Sequence, residues 1–482
     1  MNTLFWYDFE TTGIQPSRDR PMQVAGVRTN EALEEIEPPL NLYCQLSDDI
    51  LPHPAACLIT GITPERLKTQ GLPEAEFMAR LHDELIRPGT CSLGYNSLRF
   101  DDEVVRYSLY RNLYDPYARE WQGGNSRWDL IDLVRAACAL RPEGIQWPEV
   151  EGRVSLKLEH LSAANGLEHD QAHDALSDVR ATLALARLIR ARQPKLYAYY
   201  YALRHKAQVA KQISLLTPLV HTSGRFSAER RYLSLVLPLA WHPTNRNAVI
   251  LCDLMKDPQP LLEESVEVLK QRLYQRYSDL EAEELPVPLK LAYINRCPML
   301  APLSVLSNER AIELGVDLKL CMQRAQAVRE AASVWQPKLA ELYIGDSILE
   351  SVSDPEQKLY SGFLGSADRR LCDQIRRGAP NSLISSQYAF EDARLPELLF
   401  RYRARNLPDS LTKAEHQRWL QFCQARLSDP KAGAPITLDA FEQAVHELQA
   451  TALTTTEAEL LKQWSNYGQQ LRAAYFPKPD LK

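Results

Sequence analysis

The first 193 residues alternate short apolar runs with stretches of helical period, and this alternation constrains the fold more than any other feature of the chain. Residues 4–7, 23–28 and 91–95 have the apolar, β-branched and aromatic character of strands. Residues 74–86, 101–110, 130–139 and 175–191 repeat apolar side chains at helical spacing. Strands alternating with helices predict a layered α/β domain over residues 1–193, closed where Arg192-Gln193-Pro194 ends the last helix. The character then changes. Residues 231–241, 248–254 and 287–295 are apolar runs bounded by Pro and Asn, which predicts a small β-rich domain with some helices over residues 194–350. Residues 351–482 return to a 3.6-residue period at 394–406, 412–427, 438–448 and 457–474, so a helical third domain is expected. A chain of 482 residues is also too long for one ordinary domain.

Bulk properties exclude some classes. No apolar run approaches the ~20 residues that span a bilayer. Met1 to Asp8 lacks the basic and apolar regions of a secretory signal, so a cytoplasmic location without membrane association is expected. The nine cysteines are dispersed with no Cys-x-x-Cys pair, which argues against disulfides and zinc; Cys44, Cys57, Cys91 and Cys138 read as small buried hydrophobes. A net charge of −6 disfavours broad duplex binding while leaving room for a local basic groove.

The carboxylates carry the chemistry. Asp8-Phe9-Glu10 stands where the first strand ends, and residues i and i+2 of a strand share a face, so both acids can reach one metal pair. On its own this pair reads more simply as two solvated acids at a strand end. Asp101 follows Gly94-Tyr95-Asn96-Ser97-Leu98-Arg99-Phe100 at a strand-to-helix turn, whereas Asp102 and Glu103 read as first-turn acids that complement the helix dipole. In Ala172-His173-Asp174-Ala175-Leu176-Ser177-Asp178, five residues turn a helix by ~500°, so His173 and Asp178 do not share one face. Placing His173 at the helix entry and Asp178 one turn inside lets the acid hold metal while the imidazole reaches a water.

Asp8-x-Glu10, Asn96…Phe100-Asp101 and His173-x4-Asp178, in that order, resemble the signature of the DEDDh exonucleases, as does Leu58-Ile59-Thr60-Gly61-Ile62-Thr63. Asp19-Arg20-Pro21, Tyr114-Asp115-Pro116-Tyr117, Asn125-Ser126-Arg127-Trp128-Asp129, Ala139 to Gly144, Pro238 to Pro243 and Tyr402-Arg403-Ala404-Arg405-Asn406 narrow the resemblance to the exonuclease I family over nearly the whole chain. The resemblance implies an α/β RNase H-like exonuclease domain, a β-rich SH3-like domain and an α-helical C-terminal domain. It implies Mg²⁺-dependent 3′→5′ digestion of single-stranded DNA to nucleoside 5′-monophosphates in repair and recombination, by a monomer that docks the acidic C-terminal tail of the single-stranded-DNA-binding protein.

Within that resemblance, Asp8 bridges two Mg²⁺ ions, with Mn²⁺ as a substitute. Glu10 and Asp178 complete one site, Glu10 also meets the terminal 3′-hydroxyl, and Asp101 supports the second ion through water. His173 is the general base, with an ordinary pKa of ~6.5 suited to neutral pH. At Lys157 the chain departs from the family's arginine, exchanging a bidentate phosphate grip for a point charge. Residues 106–128 hold six aromatics among several arginines, against 8% aromatics in the whole chain, a pattern suited to stacking single-stranded bases. Tyr107, Tyr110 and Trp128 read as core. The resemblance points to Arg106, Tyr117, Trp121 and Arg135 as strand contacts, and to Asn247, Lys290 and Asn295 in the middle domain. A middle domain facing the active site would form a passage too narrow for duplex. Arg369-Arg370, Arg376-Arg377 and residues 401–405 are basic enough to dock an acidic tail, though each reads more simply as a solvated helix face. The carboxylates alone do not separate a DNA exonuclease from an RNA exonuclease on the same fold, or from an inactive binding module.

Overall fold

The structure is a computed structural model and describes residues 2–169, 174–273, 275, 284–344, 353–378, 383, 388–451 and 453–477. His173 lies outside the described residues. The chain divides into two compact units: Met1–Ser126 with His169–Arg180 and Leu349–Lys482, and Arg127–Glu168 with Ala181–Ile348.

In the first unit, strands β1 (Thr3–Thr11), β2 (Pro21–Thr29), β3 (Leu40–Cys44), β4 (Gly71–Leu72) and β5 (Thr90–Gly94) lie in the order β4-β3-β2-β1-β5. β1 runs antiparallel to β2 and parallel to β5. Both faces of β1 and β2 are covered, which explains why Leu4-Phe5-Trp6-Tyr7 is a continuous apolar run rather than an alternating one. Gly26 is required by close approach: a Cβ there would lie 2.3 Å from the Phe5 ring. Helices α1 (Glu74–Leu85) and α2 (Asp101–Arg111) contribute Phe77, Met78, Leu81, Val104, Val105 and Leu109 to a core shared with Phe5, Tyr7 and Phe9. Helix α3 (Ala175–Arg192) begins in this unit with Asp178 in its first turn.

The C-terminal helices α4 (Leu395–Asn406), α5 (Lys413–Ser428), α6 (Leu438–Gln449) and α7 (Thr455–Tyr475) belong to the same unit. Met22, Leu51, Cys57 and Ile62 share one core with Leu427, Phe441 and Trp464, and the Trp464 indole donates to Ile62 O at 3.0 Å. A buried ion network reinforces this packing. Arg405 grips Asp49 at 2.9 and 3.1 Å and Glu356 at 2.5 Å; Arg20 reaches Glu356 at 2.7 Å, and Arg401 and Arg426 reach Asp354. The stretch 401–405 is therefore no solvated face: Arg401 and Arg403 are buried and the Arg405 side chain is 5% exposed, each against carboxylates, because an unpaired guanidinium in this core would forfeit its hydration.

In the second unit, β6 (Leu219–Thr222), β7 (Leu233–Trp241), β8 (Ala248–Asp253), β9 (Leu289–Tyr293) and β10 (Met299–Pro302) form an antiparallel sheet in the order β9-β8-β7-β6-β10. The nine cysteines are all free and buried. Among the described residues, no helix is long and apolar enough to cross a membrane.

Candidate metal centre

β1 delivers Asp8 and Glu10 to one face, and its pairing with β2 shifts register just beyond them, between Glu10 and Thr11. α3 delivers Asp178, whose amide donates to Asp174 O at 3.0 Å. One ligand atom each of Asp8, Glu10 and Asp178 lies within 4.8 Å of the others. Asp101, the first residue of α2, is buried and accepts a 3.1 Å hydrogen bond from the Phe9 amide, the peptide between the two strand acids. The four described carboxylates proposed from the sequence are thus brought to one place.

The electrostatics show what this arrangement demands. Burial pushes the Asp8 carboxyl well above the usual range, and Asp101, Glu10, Asp178 and Asp174 push it the same way. Burial, then Asp178, Asp101 and Asp174, raise Glu10 to about 9. Oxygen donors that repel one another in this way suit a hard divalent cation, so the residues present fit such an ion.

Asp102 and Glu103 occupy the first turn of α2, as expected, and each also has side-chain partners. Asp102 is buried, accepting from Tyr7 Oη at 2.5 Å and Arg119 Nη2 at 2.6 Å. Glu103 pairs with Arg106 at 2.6 Å. Asp102's partners, and Tyr360, which also donates to Glu103, come from outside the helix and are not revealed by local sequence, whereas Glu103–Arg106 is an i,i+3 pair within it.

Tyr107, Tyr110 and Trp128 are buried as expected, whereas Trp121, just after the short helix of residues 118–120, is 64% exposed. Tyr117 is half-buried, with the Arg106 guanidinium 5.5 Å from its ring centre. Arg106 is itself buried between Glu120 (2.7 Å) and Glu103, so it reaches a phosphate only by giving up a carboxylate partner.

Within the second unit, Lys157 is exposed and 3.7 Å from Glu159, and Arg135 pairs with Asp132 at 2.6 Å. Asn247 and Asn295 sit at the ends of the paired strands β8 and β9, where Ile294 N donates to Asn247 O at 2.8 Å. Lys290 Nζ lies 2.6 Å from Nε2 of the buried His221.

Three side chains not singled out from the sequence lie against the acids. His169 Nε2 is 2.5 Å from Asp178 Oδ1. Asp174 caps the start of α3 through Ser177 N at 3.2 Å, and Gln23 stands opposite Glu10. An Asp just before a helix was a readable capping signal; the pairing of Gln23 with Glu10 was not.

Models of three families match the chain in succession: Exonuclease over residues 5–186, Exonuclease I SH3-like domain over 204–344, and Exonuclease I C-terminal domain over 353–471. Exodeoxyribonuclease I of Escherichia coli is 46% identical over 423 residues, 87% of this chain and 89% of the relative. This chain belongs to the exonuclease I family. E. coli exonuclease I in complex with a dA16 oligonucleotide superposes with a TM-score of 0.93 at 43% identity, covering 98% of this chain and 100% of that one. The zinc-bound form of the E. coli exonuclease I–ssDNA complex gives 0.92 at 42% identity, covering 98% and 99%. The fold of the family, an exonuclease domain followed by SH3-like and helical C-terminal domains, is the one expected from the sequence.

Proposed function

We propose that this protein is a divalent-metal-dependent exonuclease that removes nucleoside 5′-monophosphates from the 3′ end of single-stranded DNA. The observation that carries the reading is the convergence of Asp8, Glu10 and Asp178, with Asp101 bonded to the Phe9 amide, in a chain whose E. coli relative forms a complex with a DNA oligonucleotide.

Asp8, Glu10 and Asp178 would hold two Mg²⁺ ions, or Mn²⁺ in their place, with Asp8 shared and Asp101 supporting the second. Such ions, when bound, acidify a water and offset charge on the phosphate. His173 takes the proton from the attacking water, a role supported by its spacing from Asp178. The water oxygen bonds to phosphorus and the bond to the penultimate 3′-oxygen breaks; that oxygen takes a proton from solvent to become the new 3′-hydroxyl, and the terminal nucleotide leaves as the 5′-monophosphate. Glu10 also meets the terminal 3′-hydroxyl. Trp121 and Tyr117 offer stacking faces, with Arg106 steadying Tyr117. Lys157, Arg135, Lys290, Asn247 and Asn295 contact the strand from the second unit. Residues 1–193, 194–350 and 351–482 are the domains of a cytoplasmic monomer that acts in repair and recombination and docks the acidic tail of the single-stranded-DNA-binding protein.

The test is Mg²⁺-dependent shortening of 5′-labelled single-stranded DNA, beside its duplex and RNA equivalents, for wild type and Asp8→Ala. Shortening of the single-stranded DNA alone, abolished in Asp8→Ala, is the expected result. Equal attack on RNA removes the substrate assignment; no hydrolysis with tight single-strand binding removes the catalytic one.

A further inference from the structure

Glu10 on β1 stands opposite Gln23 on β2, and side chains directly opposite across an antiparallel pair project from the same face. Gln23 is 1% exposed. Its Nε2 donates to Asn41 Oδ1 on β3 at 3.0 Å and to Asp174 Oδ2 at 3.4 Å. The other oxygen of Asp174 accepts from Ser177 N at 3.2 Å, and its carbonyl accepts from Asp178 N at 3.0 Å. One buried amide therefore links the strand pair that carries Asp8 and Glu10 to the helix start that carries Asp178. Asp174 is not one of the three acids whose ligand atoms converge. Its two oxygens are instead spent on the helix cap and on Gln23.

We infer that Gln23 and Asp174 are positioning residues, which set the spacing between the Asp8–Glu10 pair and Asp178 and thereby the affinity of the centre for divalent metal. The inference rests on the metal-dependent reading above. The strand acids are held by β1 and Asp178 by α3, so a small displacement of the helix start changes the separation of the donor atoms without altering any donor. Hydrogen-bonded neighbours of metal ligands act in this way, and their loss typically weakens metal binding or activity by 10–100-fold. The alternative is that Gln23 is a buried amide whose bonds merely satisfy it.

Two substitutions separate these. Gln23→Leu removes the link and keeps the bulk. Asp174→Ser keeps a capping oxygen, comparable to Asp at a helix start, but is too short to reach Gln23. Mn²⁺ binding to the full-length protein without nucleic acid is measured by titration calorimetry, with Tm and steady-state hydrolysis of single-stranded DNA measured in parallel. Both variants are expected to bind Mn²⁺ about 10-fold or more weakly, with Tm close to wild type. They should lose kcat at limiting metal with KM for DNA unchanged, and recover kcat when metal is in excess, which a merely structural role would not produce. Wild-type Mn²⁺ affinity in both variants, with affinity lost in Asp8→Ala, overturns the positioning role and leaves the metal reading intact. Full Mn²⁺ affinity and activity in Asp8→Ala overturns both.

Discussion

Asp49→Asn tests what fastens the C-terminal helices to the first sheet region. Asp49 is 0% exposed, and both of its oxygens face Arg405, with Arg426 Nε 3.3 Å from one of them. Burial raises its pKa, yet Arg405 and Arg426 outweigh burial and hold the carboxyl well below the usual carboxylate range. Removing the charge leaves Arg405 with Glu356 alone and Arg426 with Asp354, in a cluster where Glu356 is already shared with Arg20 and Arg401. Breaking one partner out of a buried pair costs about 3–5 kcal/mol. For a unit of this size that corresponds to a Tm lower by about 6–10 °C, at roughly 2 °C per kcal/mol. The assay is calorimetric unfolding at pH 7 with hydrolysis measured well below the transition. The sign with pH follows from the lowered pKa: this stabilisation is present above the unfolded-state value and is lost as pH falls towards the folded one, so the difference between wild type and variant should shrink in acid. A Tm shift under about 2 °C at pH 7, or a gap that widens in acid, would refute the reasoning.

Trp121→Ala should weaken single-strand binding by about 5- to 150-fold, the worth of one stacked base at ~1–3 kcal/mol, with Tm unchanged; anisotropy of a labelled oligonucleotide measures it, and equal affinity removes the stacking role. Lys157→Arg should lower KM for single-stranded DNA severalfold, since an exposed guanidinium grips phosphate bidentately, and an unchanged KM would assign Lys157 to the solvated surface. Burial, then the nearby Arg376, lowers the His82 pKa from 6.5 to about 4, so the unfolded chain binds the extra proton in that window. The stability is full above pH 6.5 and declines towards pH 4; His82→Gln should flatten the fall in Tm over this range, and an equally steep fall would show that His82 stays protonated in the fold.

Where the determinants are local, the sequence was easy to read. Asp8 and Glu10 share a face because strand geometry leaves no other choice, and the start of α3 between His173 and Asp178 follows from capping and period. The long helices from α4 to α7 were recognisable for the same reason. β3 and β4 passed unnoticed, since five- and two-residue strands carry too little pattern. Gln23 escaped because its register against Glu10 depends on how residues 12–20 fold, where Thr12 and Asp19 bond to each other. Arg401 and Arg405 of α4 were misjudged for a related reason: apart from Glu397 on the helix itself, their acids Asp354 and Glu356 lie 47 and 49 residues away and Asp49 lies 356 away, isolated in loops and short turns where charge along one helix does not reveal them.

The hydrogen bond from Trp464 to Ile62 joins residues 402 positions apart. At about 5–20 residues per second, a ribosome takes roughly 20–80 s to travel that distance. Throughout that interval the nascent segment bearing Met22, Leu51, Cys57 and Ile62 has emerged without the helices that cover it. The portion of the chain made first is thus among the last to be completed as a folded body, and a transcript cut short of the codon for Lys413, before α5, α6 and α7, yields a product whose Met22, Leu51, Cys57 and Ile62 lack their covering helices and face chaperones and proteases.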